Sequence, residues 1–284
     1  MTTRTEGHFG GYNNADLFYQ TWSIPSPRGT LVVTHGMAEH SESYARFAEG
    51  MNKRGWNVIA WDSRGHGKSD GKRGYVEDFA WFSEDLKLFT DHLKKSSSFK
   101  KPFFFVAHSM GGLILLKSLL NYGSMGATAV SLSSPLLGIA IKVPPAKDFA
   151  AKLLRKVLPT FTMANELHYE HLSHDQEIVA SYSKDVMRHD KISPALYFGM
   201  LDTIAEVGNH HLHMTIPLLM QLAGDDKVVS RESSEEFFEK IDADNKKKIV
   251  YDDFYHEIFN ETGREKVYDD LSSFFDNAIK TSEN

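Results

Sequence analysis

The sequence contains no cysteine. That removes disulfides, thiolate metal sites and a cysteine nucleophile at once, and it fits a reducing compartment. Long apolar runs are missing as well. The stretch at 111–116 is closed by Lys117, well short of what a bilayer span requires. Residues 1–14 hold no apolar core of the kind a secretory signal carries. No block of lysine and arginine gathers to meet phosphates. The two signs are interspersed and the net charge is −6, which argues against nucleic acid as a partner. Low-complexity linkers and internal repeats are absent too. The expectation is a cytoplasmic protein that meets a membrane at its surface if at all. Its 284 residues suffice for one large domain with an insertion, or for two small domains.

What is there is an alternation. Residues 7–12 and 17–22 are predicted to pair as a hairpin around Asn13 and Asn14. Beyond them, apolar runs at 30–34, 57–61, 102–107 and 127–132 alternate with helical spacing at 44–53, 77–94 and 110–121. Continuous apolar strands separated by helices predict a mostly parallel sheet covered on both faces. The alternation breaks over 135–213. There Pro144 and Pro145 precede Phe149, Leu153, Leu154, Val157 and Leu158 at helical spacing, a helix expected over 146–158. It resumes with a strand at 217–222, a helix at 232–240, a strand at 248–251 and a helix at 264–279. The economical arrangement is an α/β core from residues 1–134 and 214–284. A mostly helical insertion, 135–213, follows its sixth strand.

Ala107-His108-Ser109-Met110-Gly111 sits where the run at 103–106 ends and a helix opens. A sharp strand-to-helix turn exposes the serine, provided the residues two before and two after are small. Gly111 satisfies the usual G-x-S-x-G pattern, and Ala107 replaces its first glycine. A serine beside glycines can also be a mere helix cap, so the rest of a constellation is needed. A serine hydroxyl needs a base to take its proton, and the base needs an orienting acid. Asp225 and Asp226 follow the strand at 217–222, and His256 follows the strand at 248–251. All lie at C-terminal strand ends, on the sheet edge that would carry Ser109. Asp226 is favoured over Asp225, because the apolar pair Val228 and Val229 behind it can anchor its loop. His35-Gly36-Met37 follows the strand at 30–34, and its loop is placed to supply a second oxyanion donor, the Met37 N–H, beside that of Met110. His35 lies too early in the chain to be the base and reads as structural.

With those residues set out, the chain resembles the monoacylglycerol lipase and lysophospholipase group of the α/β-hydrolases. The matching pieces are His35-Gly36-Met37-Ala38-Glu39-His40-Ser41, Asp62-Ser63-Arg64-Gly65-His66-Gly67-Lys68-Ser69 and His108-Ser109-Met110-Gly111-Gly112. Gly224-Asp225-Asp226-Lys227-Val228-Val229 and Tyr255-His256-Glu257 complete them. The similarity spans most of the chain and weakens across the insertion. It implies the α/β-hydrolase fold, with Ser109, Asp226 and His256 as triad, Met37 and Met110 as oxyanion hole, and the insertion as a cap. No cofactor and no metal are implied. The substrate implied is a small lipid ester, a monoacylglycerol or a lysophospholipid. Cleavage of another ester, a thioester, an amide or a carbon–carbon bond on the same fold stays open, as does a non-catalytic binding module.

Other motifs carry less. Gly65-His66-Gly67-Lys68-Ser69 contains G-K-S, but a phosphate loop needs glycine where Asp62 stands. It reads as a loop beside the site, shaped by Asp62 and Arg64. His168, His171 and His174, and the cluster His210, His211 and His213, lack the helical spacing of a metal pair and read as polar surface. Lys142, Lys147, Lys152, Arg155 and Lys156 lie around the expected cap helix. They raise peripheral contact with an anionic membrane or micelle, against the simpler case of an amphipathic helix packed on the core.

Overall fold

The computed structural model describes residues 1–96, 99–140, 154, 157–210 and 212–282. Eight strands form its main sheet: β1 (Thr3–Gly10), β2 (Asp16–Ser23), β3 (Gly29–Thr34), β4 (Trp56–Trp61), β5 (Phe103–His108), β6 (Ala129–Ser133), β7 (Leu218–Ala223) and β8 (Lys246–Tyr251). Their spatial order is β1-β2-β4-β3-β5-β6-β7-β8. β1 and β2 form the predicted hairpin, turned by Asn13 and Asn14 at φ 53° and 58°. β2 also runs antiparallel to β4, and every later pairing in the sheet is parallel.

The central strands are buried throughout and mostly apolar because both of their faces are covered. In β5, Phe103, Phe105 and Ala107 enter one core, with Phe82, Leu86 and Phe89 of α2 (Ala80–Lys95) and Leu113 and Leu116 of α3 (Met110–Tyr122). Phe104 and Val106 point the other way, to Phe47 and Met51 of α1 (Ala45–Lys53) and Leu271 and Phe275 of α7 (Arg264–Ser282). Helix α2 starts three residues later than the apolar spacing suggests. Just before it the Asp78 carboxylate accepts the Ala80 N–H at 2.9 Å, closing a local turn.

Between β6 and β7 the described residues hold α4 (Gln176–Tyr182), α5 (Pro194–Asn209) and a two-residue strand pair, Met163–Ala164 with Lys191–Ile192. Helix α5 starts on a Ser193 cap, whose hydroxyl accepts the Leu196 N–H, and on Pro194 in its first turn. It lays Leu196, Met200 and Val207 on the core, and Glu206 pairs with Lys117 of α3. The helix expected over 146–158 lies outside the described residues except at positions 154, 157 and 158, of which Val157 and Leu158 are exposed. After β7, α6 (Arg231–Lys240) returns the chain to the edge strand β8. Among the described residues no helix is long and apolar enough to cross a membrane.

Candidate active site

Ser109 stands between β5 and α3 with φ 52° and ψ −120°, a conformation that costs a non-glycine residue roughly 1–3 kcal/mol. The neighbours enforce it. Ser109 N–H donates to Ser133 O at 3.0 Å, and Ser109 O accepts from Leu136 N–H at 3.0 Å. A side chain at Gly111 would run into the backbone carbonyls of Thr34 and His35, and one at Gly112 would lie 2.8 Å from Pro135 Cβ. These glycines let α3 close on β3 and carry the serine to the sheet edge. Ala107 is fully buried in the core, so its single methyl is accommodated where the usual motif has glycine.

The three predicted polar residues meet there. His256 Nε2 lies 2.9 Å from Ser109 Oγ, and its Nδ1 lies 2.8 Å from Asp226 Oδ2. Asp226 Oδ1 accepts the N–H groups of Val228 at 2.8 Å and Val229 at 3.0 Å, so the loop behind it aims the carboxylate as expected. Its chain neighbour Asp225 instead pairs with Lys227 in solvent. Burial works against the charge on both partners. In Asp226 this is outweighed by His256 and the two backbone N–H groups, and its carboxyl lies below the usual range. In His256 burial is outweighed by the charge and hydrogen bond of Asp226, with help from Glu257 and Glu39, and the imidazole lies above its ordinary value.

The loop after β3 lies against the serine, since a Cβ at Gly36 would sit 3.2 Å from Ser109 Cβ. Glu39 Oε1 accepts the Gly36 N–H and fixes the turn that presents Met37. Neither the Met37 N–H nor the Met110 N–H has a hydrogen-bond partner among the described residues. Both belong to residues that line the cavity over Ser109, and both are available to a developing oxyanion. His35 is held apart from this chemistry. Its Nδ1 bonds Gly36 O at 2.7 Å, its Nε2 accepts the Ser63 N–H at 2.9 Å, and burial pushes it down to about 4. Asp62 ties the glycine-rich loop to the same region by accepting the N–H groups of Ser41 and Lys68, each at 2.7 Å. Arg64 is committed to Asp85 and the Tyr12 carbonyl.

The cavity over Ser109 has a volume of about 900 Å³. Met37, Leu136, Ile139, Leu172, Tyr197 and Met200 give it an apolar wall, and Glu39, Arg188 and Glu257 line a polar one. Of the histidine trio, His174 bonds Glu261 and stacks on Tyr255, while His168 and His171 face each other at the cavity. Among the described residues no three His, Asp or Glu side chains are grouped to hold a metal ion. Sequence reasoning missed the polar wall. Arg188 is separated from its two carboxylates by long stretches of chain, and no periodicity marks it.

A family model described as serine aminopeptidase, S33 matches residues 25–263. The chain is 30% identical over 260 residues to phospholipase YtpA of Bacillus subtilis (strain 168), covering 91% of this chain and 99% of that protein. It is 30% identical over 275 residues to a monoacylglycerol lipase of Mycolicibacterium smegmatis (strain ATCC 700084 / mc(2)155), covering 96% and 97%. The crystal structure of Paleococcus ferrophilus monoacylglycerol lipase superposes with a TM-score of 0.80 at 26% identity, covering 98% of this chain and 99% of that one. With this fold and these matches, the chain belongs to the serine aminopeptidase S33 family, in the monoacylglycerol lipase group of the α/β-hydrolase superfamily.

Proposed function

We propose that this carboxylic ester hydrolase cleaves lipid monoesters, monoacylglycerols or lysophospholipids, through an acyl-enzyme on Ser109. The observation that carries the reading is the unbroken chain from Ser109 Oγ to His256 at 2.9 Å and on to Asp226 at 2.8 Å. His256 takes the Ser109 proton as Oγ attacks the ester carbonyl, and the carbonyl oxygen becomes an oxyanion facing the N–H groups of Met37 and Met110. Collapse breaks the ester C–O bond, and the leaving alcohol takes the proton from His256. Water then repeats the sequence on the acyl-serine and releases the acid. Asp226 holds the imidazole tautomer and stabilises its cationic form without itself taking the proton. Nothing in these steps calls for a cofactor.

The apolar wall of the cavity supports an acyl chain, and the names of the two relatives support a lipid ester. In this reading residues 135–213 act as a cap over a core of 1–134 and 214–284. In the same reading the enzyme works from the cytoplasm and meets a membrane or micelle through the cap, where Leu158 and Phe161 are exposed. A second reading, cleavage of an amide, is favoured by the family description alone. Steady-state rates on monoacylglycerols, lysophosphatidylcholine, p-nitrophenyl esters and an amino-acid p-nitroanilide separate these. Turnover fastest on the glycerol or lysophospholipid monoester supports the reading, and fastest on the anilide rejects it. Leu158→Glu with Phe161→Glu is expected to weaken sedimentation with anionic vesicles. Unchanged sedimentation removes the membrane contact.

A further inference from the structure

The segment 182–189 of the insertion touches both loops that carry the reactive groups, and Arg188 stands at the centre of the contact. Its side chain is 4% exposed and lies between two carboxylates as buried as itself, Glu39 at 4% and Glu257 at 6%. Nη2 is 3.3 Å from Glu257 Oε1 and 3.5 Å from Glu39 Oε2, and it reaches Ser43 Oγ at 3.5 Å. The guanidinium also lies 3.7 Å over the Tyr182 ring. At these lengths the contacts are charge contacts more than tight hydrogen bonds, and they matter because water does not screen them.

Each carboxylate leads straight to the chemistry. Glu39 Oε1 accepts the Gly36 N–H and, at 2.9 Å, the Tyr44 O–H, and so shapes the turn that presents Met37. Glu257 follows His256 in the chain, and its Oε2 accepts from Tyr182 O–H and, at 2.7 Å, from Asn260 Nδ2. Lesser links run alongside. Asp185 Oδ2 meets His40 Nε2 at 2.8 Å, His189 N–H donates to Ala38 O at 3.3 Å, and Glu257 N–H donates to Leu172 O at 2.8 Å.

We propose that Arg188 is a positioning residue: as the shared counter-ion of Glu39 and Glu257, it locks the insertion onto the oxyanion loop and the His256 loop together. Seating of the segment and alignment of the donors and the base are then one event. The proposal rests on the reading of Ser109 and His256 given above. Without Arg188, two buried carboxylates face each other with no shared cation, an arrangement that drives the loops apart. Glu39 must pull away from the Gly36 turn, or Glu257 must drag on His256.

An electrostatic signature goes with this. The groups facing His256 are Asp226 from the loop after β7, Glu257 from its own loop, Glu39 from the loop after β3 and His108 from the end of β5. Glu257 and Glu39 favour the imidazolium. Each keeps two other donors when Arg188 is lost, but their shared cation is gone and their field on His256 is no longer offset by it. The acid limb of activity then moves to higher pH. A residue that merely packs would not move it.

The test uses p-nitrophenyl butyrate, so that it does not depend on the lipid head group. Arg188→Met is expected to lower kcat by about 100-fold, the size of loss that a misplacement near 1 Å produces, with KM little changed. Its acid limb of kcat/KM shifts upward. Arg188→Lys restores the position of that limb but only part of kcat. Folded Arg188→Met with wild-type kcat and an unmoved limb overturns the proposal. Should Arg188→Met fail to fold, Arg188→Gln takes its place: reduced kcat with the acid limb moved upward supports the proposal, and an unmoved limb overturns it. Ser109→Ala is measured in parallel. Hydrolysis retained there overturns the underlying reading and the proposal with it, whereas Ser109→Ala inactive beside an unaltered Arg188→Met overturns the proposal alone.

Discussion

Asp226 Oδ2 lies 2.8 Å from His256 Nδ1, while Asp225, one residue earlier, pairs with Lys227 in solvent. The two aspartates therefore predict opposite outcomes from the same substitution. Asp226→Asn keeps the shape but lets the imidazole adopt the wrong tautomer, and kcat is expected to fall by about four orders of magnitude. Asp225→Asn should change kcat by less than about twofold, as for an exposed surface pair. Steady-state kinetics on both variants checks this, and a larger loss at Asp225 reverses the assignment.

The environment of His256 sets a pH dependence. Burial disfavours the imidazolium, yet Asp226, Glu257 and Glu39 together hold the group above its ordinary value. In the proposed mechanism His256 must be neutral to accept the Ser109 proton, so activity is lost as pH falls through that raised value. The acid limb of kcat/KM is expected above about pH 6.5, the unperturbed histidine value. A limb at or below that pH contradicts the balance of charges described here.

Gly111 offers a test of the turn itself. An added methyl would press on the backbone carbonyls of Thr34 and His35, which cannot swing aside as a flexible side chain would. Gly111→Ala is expected to destabilise the fold by about 1–3 kcal/mol, the range for overpacking, and to lower kcat by pushing α3 away from the Met37 loop. Denaturant unfolding and kinetics measure the two effects. Ala107→Gly, which restores the usual motif at a position already accommodated, should cost no more than about 1 kcal/mol.

The fold was legible because burial on both faces makes strands such as Phe103–His108 and Leu218–Ala223 almost wholly apolar, a signal that alternation with helices turns into topology. Ser109 stood out because it follows such a strand directly, and Asp226 and His256 because they lie in the loops just past the C-terminal ends of β7 and β8. The choice of Asp226 also came from its loop, and the N–H groups of Val228 and Val229 carry it. Arg188 was not legible. Its partners Glu39 and Glu257 lie on different loops, and a buried ion cluster assembled from distant segments leaves no mark in local spacing. The start of α2 lies past a local turn at Asp78, a feature that apolar periodicity does not register.

In the proposed mechanism Ser109 is the nucleophile and His256 activates it. A fluorophosphonate probe, followed by mass spectrometry of the labelled peptide, tests it most directly. A single adduct on Ser109 is expected, lost in Ser109→Ala and slowed by orders of magnitude in His256→Gln. An unlabelled Ser109 in the folded protein, or ester hydrolysis that persists in Ser109→Ala, would contradict it.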